Sequence, residues 1–318
     1  MHFQTFLLRT LGLTSFFPGL LASARLHIPP SAKSVDGYPL TVVHEFPNPT
    51  WLENIAVREN GQLLVTSLSH PHLYQVDPSG AHSPVLVADI PDANRLLGIA
   101  ELERDIFYVI AGNATPSSSA ITFPSKVWKN VSLVFHEQFD PSPVRLGGRV
   151  ISLNVRTRTY STVIQDPTMS FPSNFAVAIN RLHVYGTDLY FTNLAAGTVN
   201  KIPISLTDGK PVGPATVIFN GTSGDDFVLS KDGSLVWITT NAENTLLEVA
   251  IQSRTGREVA GSPNSTDLAK GTSVAFGRTR ADSNSLHVVT AGGLESPFGA
   301  FGVTGGRVVK IDLPKGIA

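Results

Sequence analysis

Residues 225–249 read Asp225-Asp-Phe-Val-Leu-Ser-Lys-Asp-Gly-Ser-Leu-Val-Trp-Ile-Thr-Thr-Asn-Ala-Glu-Asn-Thr-Leu-Leu-Glu-Val249. Three short β-rich runs are separated by turn-forming residues, and Asp232-Gly233 reads as a two-residue hairpin turn. The pattern recurs. Glu53-Asn-Ile-Ala-Val57, Leu97-Gly-Ile-Ala-Glu101, Asn180-Arg-Leu-His-Val184 and Thr272-Ser-Val-Ala-Phe276 stand in one register with Asp225–Leu229. Each precedes a second strand: Gln62–Thr66 after Asn60-Gly61, Ile106–Ile110, Leu189–Thr192, Leu235–Thr239 and Leu286–Thr290. Third strands follow at Leu73–Val76, Thr198–Ile202, Thr245–Val249 and Gly306–Ile311.

The register positions lie 44, 83, 45 and 47 residues apart, so the long interval holds nearly two periods. A sixth, degraded unit is expected near residue 139, with Gly148-Arg-Val-Ile-Ser-Leu153 as its remnant and an insertion around 113–147. Units of this length with four strands are blades of a β-propeller, so the expected fold is all-β and six-bladed. Leu40–Phe46, ahead of the first unit, would add a strand to the last blade and close the ring. Hairpin density alone also leaves a β-sandwich open.

Composition narrows the function. The 318 residues are 42% hydrophobic and 15% charged, with 24 Lys and Arg against 25 Asp and Glu. Nothing here supplies the basic field that nucleic acid requires. The absence of cysteine removes disulfides, thiolate nucleophiles and cysteine-bound metals. Met1–Ala24 has one positive charge, an apolar run over Leu11–Leu21 and an Ala-Ser-Ala exit, the pattern of a signal peptide. The domain reading is therefore a signal peptide over 1–24, a linker over 25–39 and one propeller over 40–318, with no membrane span in the mature chain. Sequons at Asn113, Asn130, Asn220 and Asn264 fit a glycoprotein of the secretory pathway.

Inner strands of a propeller run along the central channel, so their first residues meet near the axis. Here that ring is Glu53, Leu97, Asn180, Asp225 and Thr272. Two carboxylates and an amide make an oxygen-rich site of the sort a hard cation prefers. The same residues equally serve as hydrogen-bonding partners across the channel top. Asp226 is carried as a substitute for Asp225.

From residue 40 to 314 the register resembles the SMP-30/gluconolactonase/LRE-like six-bladed propellers. The resemblance implies that Glu53, Asn180 and Asp225 hold a divalent metal, Ca²⁺ or Zn²⁺, and that Asp225 acts as general base in lactone hydrolysis. Where that family has glycine beside two of the ligands, this chain has Arg181 and Asp226. The chain also resembles a secreted fungal branch through Pro49-Thr-Trp-Leu-Glu-Asn-Ile-Ala-Val-Arg58, Gly98-Ile-Ala-Glu101 with Val109-Ile-Ala-Gly-Asn113, Leu189-Tyr-Phe-Thr-Asn193 and Asp225-Asp-Phe227. That branch includes hetero-Diels–Alderases that join a tropolone o-quinone methide to a humulene-type olefin.

Three functions are carried forward. A hetero-Diels–Alder cyclase requires no cofactor, only an apolar cleft for apolar small molecules and a donor to the carbonyl oxygen that gains negative charge. Asn180, Thr272 and Asn54 are the candidate donors; Trp51, Leu97, Phe175, Phe227, Phe276 and Phe298 are the candidate walls. A metal-dependent lactonase uses the carboxylates as ligands and base. A non-catalytic small-molecule-binding propeller is the third, because a fold does not fix a function. His70-Pro-His72 is read as a turn, His183 as a core histidine, and Ala291–Gly306 as a loop near the channel mouth.

Overall fold

The computed structural model describes residues 37–113, 126–128, 133–136, 148–154, 157, 159–170, 178–264, 266–293 and 304–317. Strand β1 (Leu40–Glu45) comes first. The first sheet is β2 (Leu52–Val57), β3 (Leu63–Ser67), β4 (His72–Val76) and β5 (Val85–Asp89). The second is β6 (Arg95–Glu103), β7 (Ile106–Gly112) and β8 (Lys126–Trp128); the third is β9 (Leu133–His136), β10 (Arg149–Asn154) and β11 (Thr159–Ile164). The fourth is β12 (Ile179–Tyr185), β13 (Asp188–Asn193), β14 (Thr198–Pro203) and β15 (Thr216–Asn220). The fifth is β16 (Gly224–Leu229), β17 (Leu235–Thr240), β18 (Thr245–Ala250) and β19 (Thr255–Gly261). The last contains β20 (Gly271–Phe276), β21 (Ser285–Thr290) and β22 (Arg307–Asp312), with β1 on its outer side.

The protein is an all-β propeller, and neighbouring strands within each sheet are antiparallel. Four sheets carry the expected four strands; among the described residues the second and third carry three. Residue 139, the expected start of the degraded unit, lies outside the described residues. A 3-10 turn over Pro167–Met169 is the helical element among them.

Strands in the middle of these sheets are buried on both faces, which is why they read as continuous apolar runs. In β17, Val236 and Ile238 pack toward the fourth sheet while Trp237 packs toward the last. Such alternation fills five successive junctions between sheets with separate apolar clusters. Each fully buried Leu, Ile, Val or Phe contributes about 1.5–3 kcal/mol, so the ring is held by its inter-blade seams.

Ring closure is visible in the backbone. Phe46 N–H donates to Gly306 O at 2.9 Å, and Gly306 N–H donates to Thr50 O at 2.8 Å. A Cβ on Gly305 would fall 1.8 Å from Phe46 O, so only glycine admits this approach. The Asn-Gly and Asp-Gly hairpins differ from the two-residue expectation. Arg58 N–H donates to Gln62 O and Ser230 N–H to Leu235 O, leaving connections of three and four residues, with Gly61 and Gly233 at positive φ. A type I turn followed by a left-handed residue gives this longer loop.

Candidate functional site

One inserted residue marks the inner strand of five of the six sheets. Leu52 pairs Ser67 and Asn54 pairs Thr66, so Glu53 is extra on β2. The same single-residue bulge falls between Leu96 and Ile99, Ile179 and Leu182, Gly224 and Phe227, and Gly271 and Ser273. These are the five register positions. A bulge breaks the two-residue alternation of a strand and re-aims side chains. Consecutive residues are thereby delivered to the axial cluster: Asn180 with Arg181, and Asp225 with Asp226.

Threonines on the second strands satisfy the displaced backbone. Thr192 Oγ1 accepts from Arg181 N–H and donates to Asp225 O, both at 3.0 Å. Thr239 Oγ1 accepts from Asp226 N–H and donates to Asp226 O, both at 3.1 Å. Because buried backbone groups must be paired, these hydroxyls hold the bulges open.

Glu53, Asn180 and Asp225 come together. Asn180 Nδ2 donates to Asp225 Oδ1 at 2.6 Å, and Asn241 Nδ2 reaches Asp225 Oδ2 at 3.3 Å. Burial, then the neighbouring Glu53 charge, push the Asp225 carboxyl well above its ordinary range against the pull of Arg181. Burial likewise raises Glu53, opposed by Arg181. Asp226 behaves in the opposite way. Burial raises it, but Arg181, then His183 and Ser273, outweigh burial and hold it below the usual carboxylate range.

Asp226 is the hub. Its Oδ1 accepts from Phe227 N–H at 2.8 Å and lies 3.1 Å from His183 Nε2. Its Oδ2 accepts from the Ser273 hydroxyl and lies 3.4 Å from Arg181 Nε. Ser273 Oγ in turn stands 3.4 Å from Asn54 Oδ1, and that oxygen accepts from Ile55 N–H at 3.0 Å. This orientation leaves the Asn54 Nδ2 donor, on a residue only 3% exposed, with no acceptor among the described residues.

The remaining expectations divide. Thr272 is 1% exposed, and its hydroxyl contacts Leu52 O at 2.7 Å and Val289 O at 3.1 Å, so it ties blades together. Phe227 is fully buried between the fourth and fifth sheets, because the residue after the bulge turns back into the seam. Phe276, at the far end of β20, packs edge-on against Trp237. Neither phenylalanine is a channel wall. Trp51 and Leu97 are half-buried at the heads of β2 and β6; Trp51 N–H bonds Ser69 Oγ and Leu97 O accepts from Thr66 Oγ1. Phe175 and Phe298 lie outside the described residues, as does most of the 291–306 loop. His70 lies in the expected turn, whereas His72 already opens β4, and the two rings stack at 5.2 Å. His183 is not a core histidine: its side chain is 42% exposed and paired to Asp226. Asn220 and Asn264 are exposed, Asn113 is half-buried, and Asn130 falls outside the described residues.

Sequence reasoning anchored one residue per blade and so missed Arg181, His183 and Ser273 as members of the cluster. The repeated threonine near the end of the second strands, Thr66, Thr192 and Thr239, was the available signal for bulges.

A divalent metal does not fit this arrangement. The Arg181 guanidinium already sits among the three acids, so a divalent ion would meet a fixed positive charge at their centre. Among the described residues no group of three His, Asp or Glu side chains is disposed to hold an ion.

The fold is that of a β-propeller, and it is shared with solved structures of low sequence identity. The luciferin-regenerating enzyme superposes with a TM-score of 0.62 at 15% identity, covering 88% of this chain and 97% of that one. Regucalcin of Agrobacterium tumefaciens, a calcium-binding protein, does so with a TM-score of 0.55 at 14% identity, covering 87% and 95%. In sequence the chain is similar to a Phoma sp protein named "Putative hetero-Diels-Alderase", at 24% identity over 79% of this chain and 86% of that one. A Sarocladium schorii protein of like name matches at 24% identity over 80% and 78%. No family model matches the chain.

Proposed function

We propose that this protein is a six-bladed, secreted and N-glycosylated fungal enzyme of natural-product biosynthesis. Its reaction is a hetero-Diels–Alder cycloaddition joining a tropolone o-quinone methide to a humulene-type olefin at the mouth of the central channel. The observation that carries this reading is the buried amide donor of Asn54, whose orientation is fixed through Oδ1 and whose Nδ2 has no acceptor among the described residues. A buried donor without a partner is costly, so a ligand oxygen is its natural complement. Likeness to two proteins bearing the hetero-Diels-Alderase name supports the reaction class.

The cycloaddition is concerted: two bonds form as π electrons redistribute, and no nucleophile, leaving group or proton transfer is required. The protein's part is to hold the two reactants in contact, worth roughly 7–11 kcal/mol in favourable cases. Donors at the quinone methide oxygen lower the barrier further as that oxygen gains charge; one such donor is worth about 3–4 kcal/mol elsewhere. Asn54, Asn180 and Arg181 supply N–H groups to this end, and Trp51 and Leu97 offer apolar surface.

The convergence of Glu53, Asn180 and Asp225 is the feature that favours the metal-dependent lactonase as a second reading. Turnover by the purified glycoprotein separates the two. The precursor with a humulene-type alcohol, and simple aldonolactones, are each assayed with and without EDTA. Stereoselective adduct above the uncatalysed background, unchanged by EDTA, is expected. Lactone hydrolysis abolished by EDTA and restored by Ca²⁺ or Zn²⁺ would overturn the cyclase reading, and binding without turnover of either would make the propeller a carrier.

A further inference from the structure

We propose that Arg181 is the fixed cation of the axial site, filling the place among Glu53, Asp225 and Asp226 that a divalent ion would need, and that it receives a conjugated oxyanion or carbonyl oxygen of the ligand. The assignment of the site to ligand binding rests on the function proposed above; the occupancy of the cation position by Arg181 does not.

Three observations converge on it. The bulge between Ile179 and Leu182 brings Arg181 into the cluster beside Asn180, and Thr192 Oγ1 accepts its backbone N–H at 3.0 Å. Its Nε lies 3.4 Å from Asp226 Oδ2, and its charge acts on Glu53 and Asp225 as well, so one guanidinium serves acids from two blades. Its Nη1 reaches the inner strand of the second sheet, where a Cβ on Gly98 would stand 3.5 Å away. The side chain is thus laid across the channel mouth, with 15% of its surface open to solvent.

Charge and shape follow. Three carboxyls face Arg181, with Arg95 acting on Glu53 from β6 and His183 pairing Asp226 from β12. A divalent ion added here would meet one guanidinium inside the cluster and a second beside it, which opposes its entry. Guanidinium has five donors in a planar fork; with Nε turned to Asp226, its Nη groups suit the paired oxygens of a tropolonate or enolate, which a metal would instead take as ligands.

The test uses the full-length glycoprotein after EDTA dialysis, with CaCl₂, MnCl₂ and ZnCl₂ as probes in calorimetry and thermal unfolding. The wild-type chain and Arg181→Lys are expected to show no saturable binding and no rise in Tm. Arg181→Gly, which opens the cation position, is expected to gain saturable binding and a cation-dependent rise in Tm. Stoichiometric Ca²⁺ binding by the wild-type chain, or a folded Arg181→Gly that gains none, overturns the proposal. Arg181→Gln supplies a second readout should the glycine variant fail to fold. Its affinity for tropolone at a pH where tropolone is anionic should fall about tenfold or more, with Arg181→Lys intermediate. Unchanged affinity overturns the ligand half. These readouts need no turnover, so failure of the cyclase reading alone leaves them intact.

Discussion

The Asn180 amide and the Asp225 carboxyl meet at 2.6 Å across the seam between β12 and β16, joining inner strands of neighbouring blades at the channel mouth. The contact exists because both strands carry their extra residue at this level. Asn180→Ala leaves a buried carboxyl oxygen without its donor, a loss of about 1–3 kcal/mol. Urea unfolding should show that loss. Asn180→Asp, which adds a further acid beside Glu53 and Asp225, should destabilise more at pH 8 than at pH 5.

The tandem acids should respond very unequally to amide replacement. Asp225 is driven toward its neutral form, so Asp225→Asn preserves shape and charge state; it turns one N–H₂ toward the amide of Asn180 or Asn241 and should cost about 1 kcal/mol. Asp226 is held ionised by Arg181, His183 and Ser273; Asp226→Asn strands Arg181 and should cost about 3–5 kcal/mol. Equal losses from the two variants would contradict this assignment. The pH dependence separates them again. The raised Asp225 carboxyl binds its proton more readily folded than unfolded, so its contribution falls as pH rises from the ordinary carboxylate range to its folded value. The depressed Asp226 contributes above the ordinary range and loses that contribution as pH falls through its folded value.

How much of this was legible follows from the periodicity. The repeat was readable because strands buried on both faces, such as Leu235–Thr239, must be apolar throughout, and Gly61 and Gly233 mark the turns. Register alignment then gave one residue per blade, and Glu53, Asn180 and Asp225 do converge. It could not give Arg181, His183 or Ser273, because a bulge adds a residue that no fixed period predicts. Phe227 and Phe276 were candidate walls because in sequence they lie near the starts of inner strands, but strand position alone does not say which way a side chain points past a bulge, and both lie in seams.

Far from the channel, Tyr38 fastens the start of the propeller to the fifth sheet. Its hydroxyl donates to Glu248 Oε2 at 2.5 Å, which also accepts from Trp237 Nε1 at 3.0 Å, and Arg257 Nε reaches Oε1 at 2.9 Å. Tyr38→Phe removes one charge-assisted donor and should lower stability by about 1.5–3 kcal/mol without altering ligand binding at the axis. Trp237 is fully buried beside this network, so its emission reports the change: Glu248→Gln should shift the tryptophan spectrum of the folded protein, whereas Tyr38→Phe should mainly lower the unfolding midpoint.

The last blade carries a pH-sensitive pair in its core. His287 is wholly buried on β21, its Nε2 3.1 Å from Asp282 Oδ2 and its Nδ1 without a partner among the described residues. Burial lowers its pKa more than Asp282 raises it, so the imidazole is kept neutral in the fold. The charged groups Lys310 and Asp312, on the neighbouring β22, act in opposite directions, the first lowering and the second raising it. The unfolded chain therefore binds a proton that the fold refuses, and this part of the stability is lost as pH falls from about 6.5 toward the depressed folded value. Denaturant midpoints of the wild-type chain should decline between pH 7 and pH 5. His287→Gln lacks the titrating group and should flatten that decline while lowering stability at pH 7 by about 1–3 kcal/mol, through weaker packing and pairing with Asp282. An undiminished slope in this variant would place the acid sensitivity elsewhere in the ring.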